Sequence, residues 1–206
     1  MSLKGFYKNF WGNFRANKVV QILTASDIVM LSGFGLVNPI FAVFVTKQID
    51  GGGVFVAGLA GSIFAFFSGL AAIPIASVID SKKGERDDFF VMLIGSLILS
   101  ISQFMYIFIN QPWQLYLIQV FSGIGMALAG TCWSAIFSRH LDKDNIALEW
   151  SFYNTTVSLG TAATAAVGGA VAEIFGFSYL FVVSGTMVLV GSLFLLFIAR
   201  KFKTTG

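Results

Sequence analysis

Charge, cysteine and histidine are all scarce in this sequence, and each shortage excludes a class of protein. Of the 206 residues, 11% are charged and 56% are hydrophobic. A soluble domain has about 25% charged residues, so its surface is far more polar than this composition allows. So little charge could not cover a water-soluble core holding 23 phenylalanines. The composition therefore excludes a soluble enzyme, a nucleic-acid-binding domain and a disordered chain.

The single cysteine and the single histidine limit the chemistry that the chain can hold. Cys132 alone excludes a disulfide framework and a cysteine-based metal site. His140 alone excludes a histidine metal cluster and a Ser-His-Asp triad built within the chain. We therefore predict no enzymatic activity, no cofactor, no metal and no nucleic-acid partner.

Long apolar runs are what the sequence has in abundance. A run of about 18 or more apolar residues with almost no charge predicts a transmembrane helix. Of the 13 Lys and Arg and the 10 Asp and Glu residues, only Asp27 lies inside such a run. The runs are continuous and do not alternate, which favours helices over a β-barrel. The six predicted spans are 19–46, 54–79, 89–109, 113–137, 151–172 and 177–199.

Lys and Arg residues lie almost entirely on one side of these spans. Twelve fall on the side that holds both termini, and only Lys47 falls on the other. Because positive residues concentrate in cytoplasmic loops, we predict cytoplasmic N- and C-termini in a plasma or inner cell membrane. The twelve are Lys4, Lys8, Arg15, Lys18, Lys82, Lys83, Arg86, Arg139, Lys143, Arg200, Lys201 and Lys203.

The predicted organisation is one all-α membrane domain with short terminal segments. Residues 1–18 are basic and aromatic, and we expect them to lie in the cytoplasmic membrane interface. A partly disordered tail is the alternative for this segment. Residues 19–200 hold the six helices, and 201–206 form a cytoplasmic tail.

A short glycine motif indicates an internal repeat. Gly33-Phe-Gly35 in the first span recurs as Gly123-Ile-Gly125 in the fourth span. The second copy lies three helices further along the chain, so it has the opposite orientation. We therefore predict two inverted three-helix repeats, an arrangement typical of transporters.

Small residues recur every four positions in the fifth span, at Gly160, Thr164 and Gly168, and Gly169 follows. Such residues let helix backbones approach closely in lipid, where the hydrophobic effect does not drive association. We predict helix packing, and not substrate contact, for Gly160, Gly168 and Gly169. The same spacing occurs in the second span, at Gly61, Ala65 and Gly69.

Three motifs, in order along the chain, resemble those of the N-terminal half of the major facilitator superfamily. Residues 76–86 read ASVIDSKKGER, similar to that family's loop Gly-x-Leu-Ala-Asp-Arg-x-Gly-Arg-Arg. Residues 119–125 read QVFSGIG, where the family has Arg-x-x-x-Gly-x-Gly. Residues 160–169 read GTAATAAVGG, where the family has Gly-x-x-x-Gly-Pro-x-x-Gly-Gly. The resemblance covers residues 19–201.

This resemblance implies a transporter that works by alternating access, with the first, second, fourth and fifth helices around a central cavity. Aromatic rings, methionine and a few amides on these helices favour a small, moderately apolar organic solute. For the amides, a structural hydrogen bond between helices is the alternative. The candidates for substrate binding or coupling are Asp27, Asn38, Gln119, Trp133 and Asn154.

Asp27 is the most informative of these candidates. It lies about 12 Å along the first helix, where a carboxylate is costly. No Lys, Arg or His lies in any span to pair with it. We expect it either to exchange a proton or bind a cationic substrate, or to be a structural residue bonded to Asn154 or to a hydroxyl.

Four residues are candidates for gating. The resemblance makes the loop with Asp80, Gly84 and Arg86 a gate, whereas a solvated loop is the alternative. Pro39 cannot donate a hydrogen bond to the carbonyl of Gly35, so we predict a bend in the first helix. This bend could be either a static kink or a moving hinge.

The chain has six predicted helices, whereas complete members of this family have two six-helix halves. We therefore expect either a half that pairs, as a homodimer or with a second six-helix half, or a part of a longer protein. The expected partners are a small-molecule solute and membrane lipid. The alternative function is a non-transporting packing or assembly protein that retains the fold.

Overall fold

The structure is a computed structural model that describes residues 17–81 and 84–197. The described chain is helical apart from short connections and contains no strand, which confirms the predicted all-α class. Residues 1–16 of the predicted interfacial segment lie outside the described residues. The predicted tail, 201–206, lies outside them as well.

Six helices in the described residues are long and apolar enough to cross a membrane, as predicted. Most extend a few polar residues beyond the apolar runs, because backbone hydrogen bonding does not stop where the apolar residues do. The last helix runs over Phe177–Phe194, and residues 196–197 are again helical at the end of the described chain. The helices are α1 (Lys18–Gln48), α2 (Val54–Ser81), α3 (Glu85–Phe108), α4 (Pro112–His140), α5 (Ile146–Phe175) and α6 (Phe177–Phe194).

Helix α1 is interrupted where the sequence predicts a bend. Its α-helical part Lys18–Val37 is followed by a 3₁₀ turn, Asn38–Ile40, before the α-helix resumes at Phe41–Gln48. Pro39 has no amide hydrogen to donate and its ring crowds the preceding turn, which explains the interruption. A moving hinge at this position stays a prediction.

The connection between α5 and α6 is a single residue. Gly176 has a backbone φ of 84°, in the region that glycine adopts without steric cost. Its amide donates to the carbonyl of Ala172 and ends α5, and α6 begins at the next residue. The two helices are thereby joined directly, and they contact each other.

Helices α1 and α4, here called the central helices, each make extensive contacts with two neighbours. Helix α1 packs against α5 and α6, helix α4 packs against α2 and α3, and α3 packs against α6. Helices α2 and α5 are the least buried of the six within this chain. Each central helix therefore has one well-buried and one largely exposed neighbour.

The two Gly-x-Gly motifs lie at close helix contacts. A Cβ added at Gly33 would lie 2.9 Å from the Ser184 carbonyl oxygen on α6, and one at Gly35 would lie 2.9 Å from the Thr161 carbonyl oxygen on α5. Such contacts are too tight for a side chain. The second motif lets α4 approach two neighbours in the same way: Gly123 faces the Phe64 carbonyl on α2, and Gly125 faces Gly95 and Ile98 on α3.

Serine hydroxyls bond across the same close contacts. Ser184 donates to the carbonyl of Gly33 at 2.8 Å, and Ser26 donates to that of Gly191 at 2.7 Å, both between α1 and α6. Since lipid offers no hydrogen-bonding alternative, such bonds add to the packing that joins membrane helices.

Candidate functional site

Two adjoining cavities run along the central helices. The amide cavity, of about 410 Å³, is lined by side chains of α1 to α4 that include Asn38, Gln103 and Gln119. The acidic cavity, of about 250 Å³, is lined from α1, α3, α4, α5 and α6, and Asp27 is its one charged side chain. Leu31, Leu99 and Met126 line both. The cavities are therefore neighbours, and one elongated molecule could contact both.

The amide cavity is mainly apolar and carries a few uncharged polar side chains. Gln119 and Gln103 are each buried, and the Gln103 carbonyl oxygen accepts a hydrogen bond from Ser184 at 3.2 Å. The remaining lining is largely apolar and includes Phe34, Phe41 and Phe64. Such a surface can orient a neutral solute by a few hydrogen bonds while it buries apolar area.

The acidic cavity holds Asp27 against a group of aromatic rings. Asp27 is 4% exposed, and the hydroxyl of Tyr153 on α5 donates to its Oδ2 at 2.7 Å. The rings of Trp133, Trp150 and Tyr153 also line this cavity. Their centroids lie 4.7 Å apart for Trp133 and Tyr153, and 5.9 Å apart for Trp150 and Tyr153. No basic side chain is among the lining residues.

The ring of Trp133 packs against a neighbouring ring, and its indole N–H group has no hydrogen-bond partner among the described residues. Its ring stacks on Phe137 at 4.5 Å between centroids, with an angle of 14° between the ring planes. Its Nε1 is buried and has no hydrogen-bond partner among the described residues. Buried indole N–H groups usually find an acceptor.

Four of the five predicted binding residues line a cavity. Asp27 and Trp133 line the acidic cavity, and Asn38 and Gln119 line the amide cavity. Asn154 is exposed on α5 and lines neither cavity. Consecutive helix residues point about 100° apart, so Tyr153 faces α1 and Asn154 does not. Of the two bonds considered for Asp27, the one to a hydroxyl is the one formed.

Trp150, Gln103 and Tyr106 are among the lining residues that the sequence analysis did not predict. Trp150 falls in a predicted loop, but α5 begins at Ile146, before the apolar run, and brings it to the cavity. Gln103 and Tyr106 lie on α3, a helix that the family resemblance places outside the cavity. Gln103 could have been predicted to be functional, because it is an amide within an otherwise apolar span.

Three of the four predicted gating residues lie around the connection between α2 and α3, and the fourth, Pro39, lies in the 3₁₀ turn of α1. Asp80 is exposed in the last turn of α2, and Gly84 directly precedes α3 with open space where a Cβ would be. The exposed Arg86 lies 5.9 Å from the ring centroid of Phe90. This arrangement leaves Asp80 and Arg86 accessible at the surface.

An ion pair between a buried carboxylate and an exposed arginine at the same end was not predicted. Arg139 of α4 donates to the Oδ2 of Asp88 on α3 at 2.6 Å, and the Asp88 side chain is buried. Nearby, the carboxylate of the buried Glu149 accepts from the backbone amide of Asp142 at 3.2 Å. The Asn145 side chain and the Asp144 amide hold the pKa of the exposed Asp142 below its usual value. The sequence has several charges at these ends of the third and fourth spans, but it does not specify which of them pair.

Six membrane-length helices enclose two cavities that hold a few polar side chains among apolar ones, an arrangement compatible with a membrane transporter. The sequence profile described as "Major Facilitator Superfamily" matches residues 23–205. The chain belongs to the major facilitator superfamily. It is therefore a multi-pass membrane protein of a transporter family and not an enzyme.

Two known proteins that resemble the chain are both transporters. An uncharacterized MFS-type transporter of Methanocaldococcus jannaschii is 22% identical over 162 residues, which cover 79% of this chain and 40% of that protein. The in meso crystal structure of the POT family transporter PepTSo matches with a TM-score of 0.67 and 17% identity. This match covers 89% of the chain and 37% of PepTSo. The chain thus spans well under half the length of either relative.

Proposed function

We propose that this chain forms one half of a transporter that moves a small, moderately apolar organic solute by alternating access. The observation that carries this proposal is the pair of adjoining cavities, in which aromatic rings and methionine surround two glutamines, an asparagine and one carboxylate. Membership of a transporter family supports it, and so does the position of the cavities along the central helices.

Pairing with a second six-helix half, in a second copy or in another chain, is part of the proposal. On α2, large apolar side chains including Phe66, Leu70 and Ile73 are exposed, and a Cβ at Gly61 or Gly69 would meet only open space. The exposed Asn154 on α5 would lack a polar partner in lipid. A second half over α2 and α5 would cover these groups, and the relatives are more than twice as long as the matched segments.

The proposed arrangement in the membrane has two inverted three-helix repeats and cytoplasmic termini. Helix pairing supports the repeat, because α1 packs on α5 and α6 as α4 packs on α2 and α3. The Lys and Arg distribution supports cytoplasmic termini in a plasma or inner membrane. Gln111 Nε2 donates a hydrogen bond of 3.0 Å to Asp50 Oδ2. This bond supports placing the α1–α2 and α3–α4 loops, which are both predicted to face outward, on the same side of the membrane.

Gating at the α2–α3 connection is the remaining part of the proposal. The accessible Asp80 and Arg86 would contact the second half when the cytoplasmic side is closed, and Gly84 would let the connection adjust. Pro39 would give α1 a hinge beside the amide cavity, since Asn38 lines that cavity.

Reconstitution tests transport and pairing together. We expect proteoliposomes holding the assembled protein to show saturable flux of moderately apolar solutes, and native mass spectrometry to show two six-helix halves. A strictly monomeric chain that transports would contradict pairing. A paired protein without flux of any solute would contradict transport and would favour the assembly function.

A further inference from the structure

The acidic cavity holds a buried carboxylate, and no basic side chain lines it among the residues that the structure describes. Asp27 is 4% exposed, and none of the residues that line its cavity is basic. Tyr153 donates one hydrogen bond to one of its oxygens, whereas a carboxylate can accept about four. Burial of a charge is costly unless an opposite charge accompanies it. The cavity therefore favours a positively charged occupant.

The walls of the cavity favour an organic cation. Trp133, Trp150 and Tyr153 all line the cavity and contact one another, and the ring of an aromatic side chain attracts cations. Three polarisable methionine side chains, of Met30, Met92 and Met126, complete much of the lining. Cavities that recognise quaternary ammonium groups are built from such aromatic side chains.

The same walls disfavour a metal ion. A hard cation such as Ca²⁺ takes about six to eight oxygen ligands. The side-chain oxygens of the lining belong to Asp27, Ser96, Ser134 and Tyr153 only, and the rest of the lining is mainly apolar. An ammonium or quaternary ammonium group needs no such shell, because methyl or methylene groups can lie against the rings.

Two further features indicate what else the occupant carries. The buried Nε1 of Trp133 has no partner among the described residues and can donate to a hydroxyl or carbonyl oxygen. The amide cavity shares Met126 and two leucines with the acidic cavity, and it can take an uncharged remainder. Ser134 is exposed at the acidic cavity, which gives the site a side open to the surroundings.

We propose that the acidic cavity binds the head group of an organic monocation, an ammonium or quaternary ammonium, while the amide cavity binds its uncharged remainder. Asp27 is the counter-ion, and the rings of Trp133, Trp150 and Tyr153 contact the cation. This inference rests on the proposed transport function, because it names the class of the solute.

Equilibrium binding to the full chain in nanodiscs tests the inference without any transport. The probes are choline and dimethylbutanol, the uncharged analogue in which carbon replaces the ammonium nitrogen. Titration followed by tryptophan fluorescence, corrected with empty nanodiscs, should show choline binding at least about tenfold more tightly, since desolvated cation–ring contacts have this magnitude. Equal affinity of the two probes, or no choline binding, would overturn the inference.

A matched pair of variants assigns the cation to the cavity. Asp27→Asn keeps the shape of the side chain and should weaken choline binding at least about thirtyfold, as expected for loss of one partner of a buried charge pair. Asp144→Asn removes the same charge from an exposed loop position and should bind choline as the unaltered chain does. Choline affinity that is unchanged by Asp27→Asn would overturn the assignment.

Flux measurements separate this inference from the function on which it rests. Choline-selective binding without flux of any solute would keep the ligand class and contradict transport. Saturable flux of uncharged solutes, with no preference for choline over dimethylbutanol in binding, would keep transport and overturn the ligand class.

Discussion

Asp27→Asn is expected to give a correctly inserted protein whose transport no longer responds to a pH gradient and is at least about tenfold slower. Asparagine keeps the shape of the side chain, and its amide oxygen can still accept from the Tyr153 hydroxyl, so the contact between α1 and α5 should persist. The variant cannot carry a charge or exchange a proton. Interactions with a charged group contribute about 1.5–3 kcal/mol, which corresponds to at least tenfold in rate or affinity.

Solute flux in proteoliposomes, with and without an imposed pH gradient, measures this effect. Asp144→Asn is the matched control, because Asp144 is exposed in the connection between α4 and α5, away from both cavities. Flux of Asp27→Asn that keeps its full rate and its response to pH would assign Asp27 a structural role only.

Gly168→Ala is expected to destabilise the protein, whereas Gly169→Ala, at the adjacent position, is expected not to. A Cβ at Gly168 would overlap the backbone carbonyl of Leu36 on α1, and a backbone group cannot rotate away as a side chain can. Helices α1 and α5 must then separate, and such overpacking costs about 1–3 kcal/mol. A Cβ at Gly169 would meet nothing within 4 Å. Alanine there should be neutral or stabilising by up to about 1 kcal/mol, since alanine favours helix.

The free energy of unfolding in mixed micelles, measured by denaturant titration and circular dichroism, distinguishes the two variants. Gly160→Ala is an intermediate case, because its Cβ would meet the rotatable Ser32 hydroxyl at 2.7 Å. Equal losses of stability for Gly168→Ala and Gly169→Ala would show that α1 and α5 do not pack as the structure has them.

The sequence predicts the helices well because membrane-length apolar runs and excluded charge are strong local signals. It also places the interruption of α1, because Pro39 lacks the amide hydrogen that an α-helix requires. Helix ends are harder to predict. Trp150 falls outside the fifth apolar run, and only the structure shows that α5 begins early enough to carry it into the acidic cavity.

Partners across helices are beyond what a single sequence reveals. Tyr153 and Asn154 are both polar and adjacent, and only the rotation of α5 about its axis decides which contacts Asp27. Gly168 and Gly169 are equally small, yet only the first lies against α1. The pair of Asp88 and Arg139 joins residues 51 positions apart, which charge patterning along the chain does not specify.

Access to the cavities from the two sides of the membrane tests the central claim most directly. Met126 lines both cavities, so a cysteine at this position, in a Cys132→Ser background, reports on them. The assembled protein in proteoliposomes is labelled with a membrane-impermeant maleimide from one side at a time. Alternating access predicts labelling from either side, with added transported solute changing the two rates in opposite directions. Labelling from one side alone, at a rate that solute does not change, would contradict the account.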